Sequence, residues 1–198
     1  MARMRATERR RQLLEVAAEL FAQRGYRGAT TAELARAAGI TEPILYRHFE
    51  NKLDLFVTLI DEVGREVIAA WKQALEGITD PQKRLHTLLA ANPATHERGR
   101  GVYRVIFQAM TEIEGDKEIA EALRQHTTKL HAFVRTEIVR LQKAGVVRDD
   151  EPPAALAWVL IDVAVGYGIL APLGVPGQTS TARAAGIERL INDLLAPV

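Results

Sequence analysis

Within the twelve residues from Thr41 to Lys52 the chain gathers Glu42, Pro43, Ile44, Tyr46, Arg47 and His48. These types suit contact with double-stranded DNA better than bond-making chemistry. A carboxylate such as Glu42 can accept a hydrogen bond from cytosine, and Ile44 can pack on a thymine methyl group. Either could also make no specific contact. Pro43 fits the first turn of a helix, where its missing N–H costs little, and it adds rigid apolar surface. Tyr46 and His48 can donate to phosphate oxygens, and Arg47 can reach the backbone or a guanine, the backbone being the more conservative reading. Lys52 is expected to start a long helix and to hold a phosphate there, its ammonium acting together with the positive helix N-terminus.

Two short helices at a sharp angle would position these groups. Thr30 can cap the first, with Glu33 three residues on to complete a capping box. Leu34, Ala37 and Ala38 are expected to face inward, and Ala35 is small enough for the helices to touch. Gly39 supplies the left-handed residue needed where the chain leaves the first helix. Thr41 can cap the second helix, and Ile40 and Leu45 point into the angle. Thr31 and Thr41, at the two helix starts, can be caps, phosphate ligands or both.

Residues Thr7 to Leu55, about a quarter of the chain, resemble the N-terminal domain of the TetR family of bacterial transcriptional regulators. The resemblance rests on LFAQRGYRGATTAELARAAGITEPILYRHFENKLDL. That segment has a helix ending in Phe-x-x-x-Gly-Tyr, a Thr-Thr start, Ala-Gly-hydrophobic, Leu-Tyr-x-His-Phe and a lysine before the next helix. It implies DNA contacts at Thr31, Thr41, Glu42, Pro43, Ile44, Tyr46, Arg47, His48 and Lys52. It also implies that the rest of the chain is a ligand-binding and dimerisation domain, with a four-helix dimer interface, whose occupancy releases DNA. Repression is the family's usual habit. The implied division is a helix-turn-helix domain over 1–51 and an effector-binding domain over 52–198.

Composition agrees with a folded, ordinary protein: 198 residues, 47% hydrophobic and 26% charged, can bury a sizeable core. The net charge of +1 hides an asymmetry. Residues 1–55 carry ten Lys/Arg against seven Asp/Glu, or +3, and residues 56–198 carry sixteen against eighteen, or −2. Arg3, Arg5, Arg9, Arg10 and Arg11 suit an arm attracted to phosphate, although Arg3 and Arg5 could equally be a solvated terminus. The chain has no cysteine, which removes thiolate catalysis and disulfides and fits a reducing cytoplasm. No signal peptide is legible at the N-terminus. The apolar run 154–171 holds Asp162 and has no basic flank, so it is expected to be a buried helix rather than a membrane span.

The spacing predicts an all-α fold of about nine helices, with no period-two alternation. Leu14, Ala17, Ala18 and Phe21 place one stripe on a helix over 7–24 that ends at Gly25. Phe56, Leu59, Ile60, Val63, Val67, Ile68, Trp71 and Leu75 mark a long helix from Lys52 to Leu75. Gly64 within it could ease a bend or allow close packing. Further helices are predicted near 81–91, 101–114, 117–144, 153–171 and 179–195, with stops at Gly77, Asn92-Pro93, Gly115, Gly145 and Pro172.

Trp71, Tyr103, Phe107, Met110, His126, Trp158 and Asp162 are candidate lining residues for a small-molecule pocket, with ordinary core packing as the alternative. Asp162, inside an apolar helix, could instead bond across a dimer interface. That interface is expected on the last two helices, at Trp158, Ile161, Val165, Gly168, Leu190, Ile191 and Leu194, because a two-fold dimer would match a palindromic operator. No catalytic motif, metal set or cofactor loop is present, and His126 and His131 lie five apart on diverging faces. The residues and the family resemblance together point to a homodimeric, DNA-binding regulator, and the resemblance implies a repressor that answers to a small, largely apolar effector. An architectural or constitutive DNA-binding protein is the alternative, and an enzyme fits poorly.

Overall fold

The protein is described by a computed structural model covering residues 6–91, 97–112, 114–170, 173–177 and 181–197. Among these residues there are nine α-helices and no strand: α1 (Ala6–Gly28), α2 (Thr31–Ala37), α3 (Glu42–Leu45), α4 (Lys52–Leu75), α5 (Pro81–Ala90), α6 (Glu97–Ala109), α7 (Lys117–Lys143), α8 (Pro153–Leu170) and α9 (Thr181–Leu195). The expected stops at Asn92-Pro93 and Pro172, the arm residues Arg3 and Arg5, and the start of the last helix at 179 lie outside the described residues. The helices form two compact units. One holds Met1–Gly64 with Gly101–His126, and the other holds Arg65–Arg100 with Thr127–Val198.

In the first unit α1 buries Leu13, Leu14, Ala17 and Phe21, one stripe at helical spacing. Gly25 interrupts α1 with φ of +72°, a left-handed conformation that a side chain would resist. Just beyond it, Tyr26 packs on Phe56 with ring centroids 4.7 Å apart, and Phe21 meets the same Phe56 edge-on at 4.9 Å. Gln108 of α6 donates to the Ala22 carbonyl (3.0 Å), and Arg27 pairs with Glu112 at 2.7 Å. Asp116 caps α7 by accepting from the Glu118 and Ile119 amides.

In the second unit Trp71 donates to the Leu88 carbonyl and stacks on Phe133 at 5.6 Å. Arg84 and Glu137 form a buried two-pronged pair (2.6 and 3.0 Å), and the same guanidinium donates to the carbonyls of Leu75 and Ile78 at the end of α4. Such a pair contributes less than its Coulomb energy because both ions lose water, but removing one partner strands the other. Asp80 caps α5, which opens on Pro81. Arg148 donates its amide to the Leu195 carbonyl (2.8 Å), anchoring the end of α9.

α8 is only partly covered by its own chain. It is apolar all round and long enough to cross a membrane by length and composition, but only a third of it is buried in the chain. Leu156, Ala157, Leu160, Ile161, Ala164 and Gly168 face inward. Trp158, Val159, Asp162, Val163, Ile169 and Leu170 are exposed. With no polar side to exclude, composition could not say which face packs.

Gly64 has a packing role. A Cβ there would stand 2.5 Å from Nδ1 of the buried His126. Alanine would gain about 1 kcal/mol in helix propensity but overpack this contact. Overpacking costs about 1–3 kcal/mol, so net of that gain Gly64→Ala is expected to lower stability by up to about 2 kcal/mol, read as a drop in the urea midpoint. An unchanged or raised midpoint would show that His126 can move aside freely.

Candidate nucleic-acid interface

The frame of the interface is fixed by bonds over a few residues. The Thr30 hydroxyl accepts from the Glu33 amide at 3.2 Å, and the Glu33 carboxylate accepts from the Thr30 amide at 3.0 Å, a complete capping box. Arg24 pairs with the same carboxylate. The Thr30 amide and hydroxyl, with Arg24 and Arg36 beyond them, hold the Glu33 carboxyl below the usual range. At the other end of α2 Gly39 takes φ of +66°. Its amide donates to Arg36, and the Ile40 amide donates to Ala35, the paired bonds of a Schellman motif. Leu34, Ala35 and Ala38 are buried; Ala37, expected inside, is exposed because it falls one residue off that stripe.

α3 is only four residues long. The amides of Arg47 and His48 then donate to carbonyls three residues back, so the reader ends in a tighter turn. Leu45 and Phe49 are buried beneath it. Thr41 has the extended backbone of a cap but makes no side-chain cap bond, contrary to expectation. Pro43 at the helix start already removes one donor that a cap would satisfy. Thr41, Pro43, Tyr46 and Arg47 are exposed, and Thr31, Glu42, Ile44 and His48 are half-buried. The Tyr46 hydroxyl donates to the Thr31 hydroxyl at 3.3 Å, which ties the recognition segment to the start of α2.

Lys52, expected to hold a phosphate, has partners within the chain that the sequence reading did not include. Its ammonium turns inward, donating to the carbonyls of Tyr26 (3.0 Å) and Ala29 (3.1 Å) and lying 4.5 Å from the Tyr26 ring centroid. Two carbonyls and a π face replace part of the hydration that the half-buried ammonium gives up. Arg10, expected in an arm attracted to phosphate, lies instead within α1, stacks 4.6 Å above the Phe49 ring and donates to Thr58. Its place in an apolar-periodic helix was the available signal. Burial, and then the nearby Asp116, Glu112 and Glu118, raise the pKa of Tyr26.

Helix order, the two-helix frame and the exposed polar row together have the pattern of a known regulator. Residues 13–59 match the model of the bacterial regulatory proteins of the tetR family, and residues 81–196 match the C-terminal model of BetI-type transcriptional repressors. The chain belongs to the TetR family of bacterial transcriptional regulators. Members of this family are regulators rather than enzymes. The transcriptional activator FasR of Mycolicibacterium smegmatis is 37% identical over 106 residues, which cover 54% of this chain and 48% of FasR. The chain thus spans about half the length of that relative. The regulator UidR of Escherichia coli is 24% identical over 187 residues, covering 94% of this chain and 92% of UidR. A transcriptional regulator from Saccharomonospora viridis, solved in complex with choline, superposes with a TM-score of 0.80 at 25% identity, over 94% of this chain and 95% of that one.

The expected pocket residues divide between the two units. Tyr103 packs against Phe107 (5.9 Å) and edge-on against His126 (6.0 Å) in the first. Burial pushes the Tyr103 hydroxyl far above its usual pKa. In the second, Trp71 is buried, whereas Trp158 is 42% exposed and stacks on His131 at 4.4 Å. Met110 and Asp162 are exposed rather than lining a core: Met110 lies in a 3-10 turn, and Asp162 is on the outer face of α8. A cleft of about 490 Å³ in the second unit is lined by Leu75, Arg84, Phe133 and Glu137 among others, and by none of the seven expected residues. Among the described residues there is no cluster of metal-ligating side chains. Of the expected dimer residues, Leu190 (70%) and Leu194 (39%) are exposed, Val165 and Ile191 are half-buried, and Ile161 and Gly168 are buried within the chain. Ile161 and Gly168 lie one turn-face away from the exposed Trp158 and Asp162, which sequence could not separate.

Because the folded Glu33 carboxyl is held below its unfolded pKa, its contribution is present above the ordinary carboxylate range and fades as pH falls through the lower folded value. Glu33→Gln should therefore destabilise the reader at neutral pH and narrow its difference from wild type toward acid. Thermal melts at pH 7 and pH 3 measure this; an equal difference at both values would exclude the carboxylate as the cause.

Proposed function

We propose that the chain represses transcription in the bacterial cytoplasm by binding a palindromic operator as a homodimer, and that a small, largely apolar effector releases it. Residues 1–51 act as the reader and residues 52–198 as the effector-binding and dimerisation domain. The observation that carries this reading is the row of outward groups on a frame locked at both ends by the capping box and the Schellman motif. Thr41, with its hydroxyl free of a cap bond, and Thr31, Tyr46 and His48 address phosphates. Arg47 adds a cation to the same backbone, and Glu42, Pro43 and Ile44 meet base edges.

Dimerisation follows from the apolar surface that α8 and α9 leave uncovered: Trp158, Val159, Val163, Ile169, Leu190 and Leu194. Such a surface belongs against a protein partner. A second copy would set two readers for successive major grooves, about 34–36 Å or a multiple apart. Asp162 on that face would then bond to a tyrosine or a helix end of the second copy. For the effector, the grouping of Tyr103, Phe107 and His126 offers two aromatic rings and one polar ring edge. A relative of the same fold that holds choline lends support to a small organic ligand. α4 runs unbroken from Lys52 to Leu75 and offers a path by which occupancy alters the reader.

Selection of random duplexes on the full chain tests the reading, with a two-fold symmetric site as the expected product. Enrichment of a lone half-site, or of no sequence, would overturn it. On the selected duplex Arg47→Ala should weaken binding to all sequences alike and lower the salt slope by about one, whereas Ile44→Ala should relax preference at one base position. Leu190→Asp should yield monomers in analytical ultracentrifugation with folded α-helical content retained. A persistent dimer would move the interface off α9.

A further inference from the structure

The reader is an excursion of 22 residues, Thr30 to Asn51, that departs from Ala29 and returns at Lys52. Its two ends meet at one atom. Lys52 Nζ has three donors, and two are used on the carbonyls of Tyr26 and Ala29, 3.0 and 3.1 Å away. The Tyr26 carbonyl lies in the last turn of α1, where helix geometry leaves oxygens without an intrahelical donor, and Ala29 directly follows that helix. Ala29 is fully buried, and the Tyr26 ring beneath the ammonium is itself packed on Phe56. On the return side Asn51 accepts from the Asp54 amide (2.8 Å), and Asp54 accepts from the Glu50 amide (2.9 Å), so the backbone entering α4 is equally held. Thr30, one residue beyond Ala29, is the cap of α2.

We propose that Lys52 is a positioning residue that clasps the start of the reader to its end, and that its charge serves this clasp and not a DNA phosphate. The proposal rests on the DNA-binding reading above. A lysine that serves only as a phosphate ligand keeps its whole ammonium toward solvent, whereas here two of the three donors are already used within the chain. This ammonium is half-buried, faces a ring and is committed to the two carbonyls that fix where α2 begins. Losing it lets Ala29 and the capped Thr30 shift against α4. The recognition segment then meets the groove at a wrong angle, which harms base readout more than general attraction to DNA.

Lys52→Met keeps the aliphatic stem and removes both donors and charge. Wild type and variant are titrated with the selected duplex and with a scrambled one of equal length, across a salt series. The expected result is that the ratio of selected to scrambled affinity falls about tenfold, as for one or more lost base contacts, while the salt slope stays at the wild-type value. Equal loss on both duplexes, with the slope reduced by about 0.9, would mark Lys52 as a phosphate ligand and overturn the proposal. A wild-type chain that prefers neither duplex would instead remove the DNA-binding reading itself. Should Lys52→Met fail to fold, the wild-type side-chain ammonium can be observed directly by nitrogen-15 NMR. A Lys52 signal already protected from exchange in the free protein and unmoved by the selected duplex supports the clasp; a signal protected only in the complex refutes it.

Discussion

A helix of four residues has no stability of its own in water, and one of seven has little, since isolated helices shorter than about a dozen residues do not hold. α2 and α3 therefore exist because Leu34, Ala35, Leu45 and Phe49 are buried beneath them. Everything the reader presents outward is subordinate to that burial. The same constraint explains the density of local fastening at this end of the molecule. A box at one end of α2, a Schellman turn at the other, a hydroxyl pair between Tyr46 and Thr31, and a lysine bonded back to Ala29 all fall within the 24 residues from Ala29 to Lys52.

The larger part of the chain is governed by the opposite excess. α8 has too much apolar surface for one chain to cover, so burying Leu160 and Ile161 leaves Trp158, Val159 and Val163 in water. Covering them would remove further apolar area at roughly 25 cal/mol per Å². In the same unit one polar group, Arg84, is deeply set. Arg84 spends four hydrogen bonds on Glu137 and on the end of α4, and Arg148 holds the end of α9.

The compact units also cut across the division expected from function. Residues 101–126 group with the reader, and α6 reaches α1 through the Gln108 bond to Ala22 and the Arg27 pair with Glu112. No run of sequence announces that grouping, because it depends on side chains 85 or more residues apart meeting in space.

Where a feature is decided within a turn or two of chain, the residues alone were sufficient. Helix order, the start of α4 at Lys52, the Thr30–Glu33 box and the left-handed turn at Gly39 were legible, because caps and positive φ are set by immediate neighbours, whereas the stop expected at Gly25 is a kink within α1. Tertiary structure decided what local rules leave degenerate. It chose which face of the uniformly apolar α8 is inside, placing Ile161 and Gly168 there and Asp162 out. It left Met110 exposed and denied Thr41 its cap bond. It also turned the Lys52 side chain inward, since a flexible four-carbon stem takes its direction from whatever carbonyls and rings the fold brings within reach, and those lie more than twenty residues away in sequence.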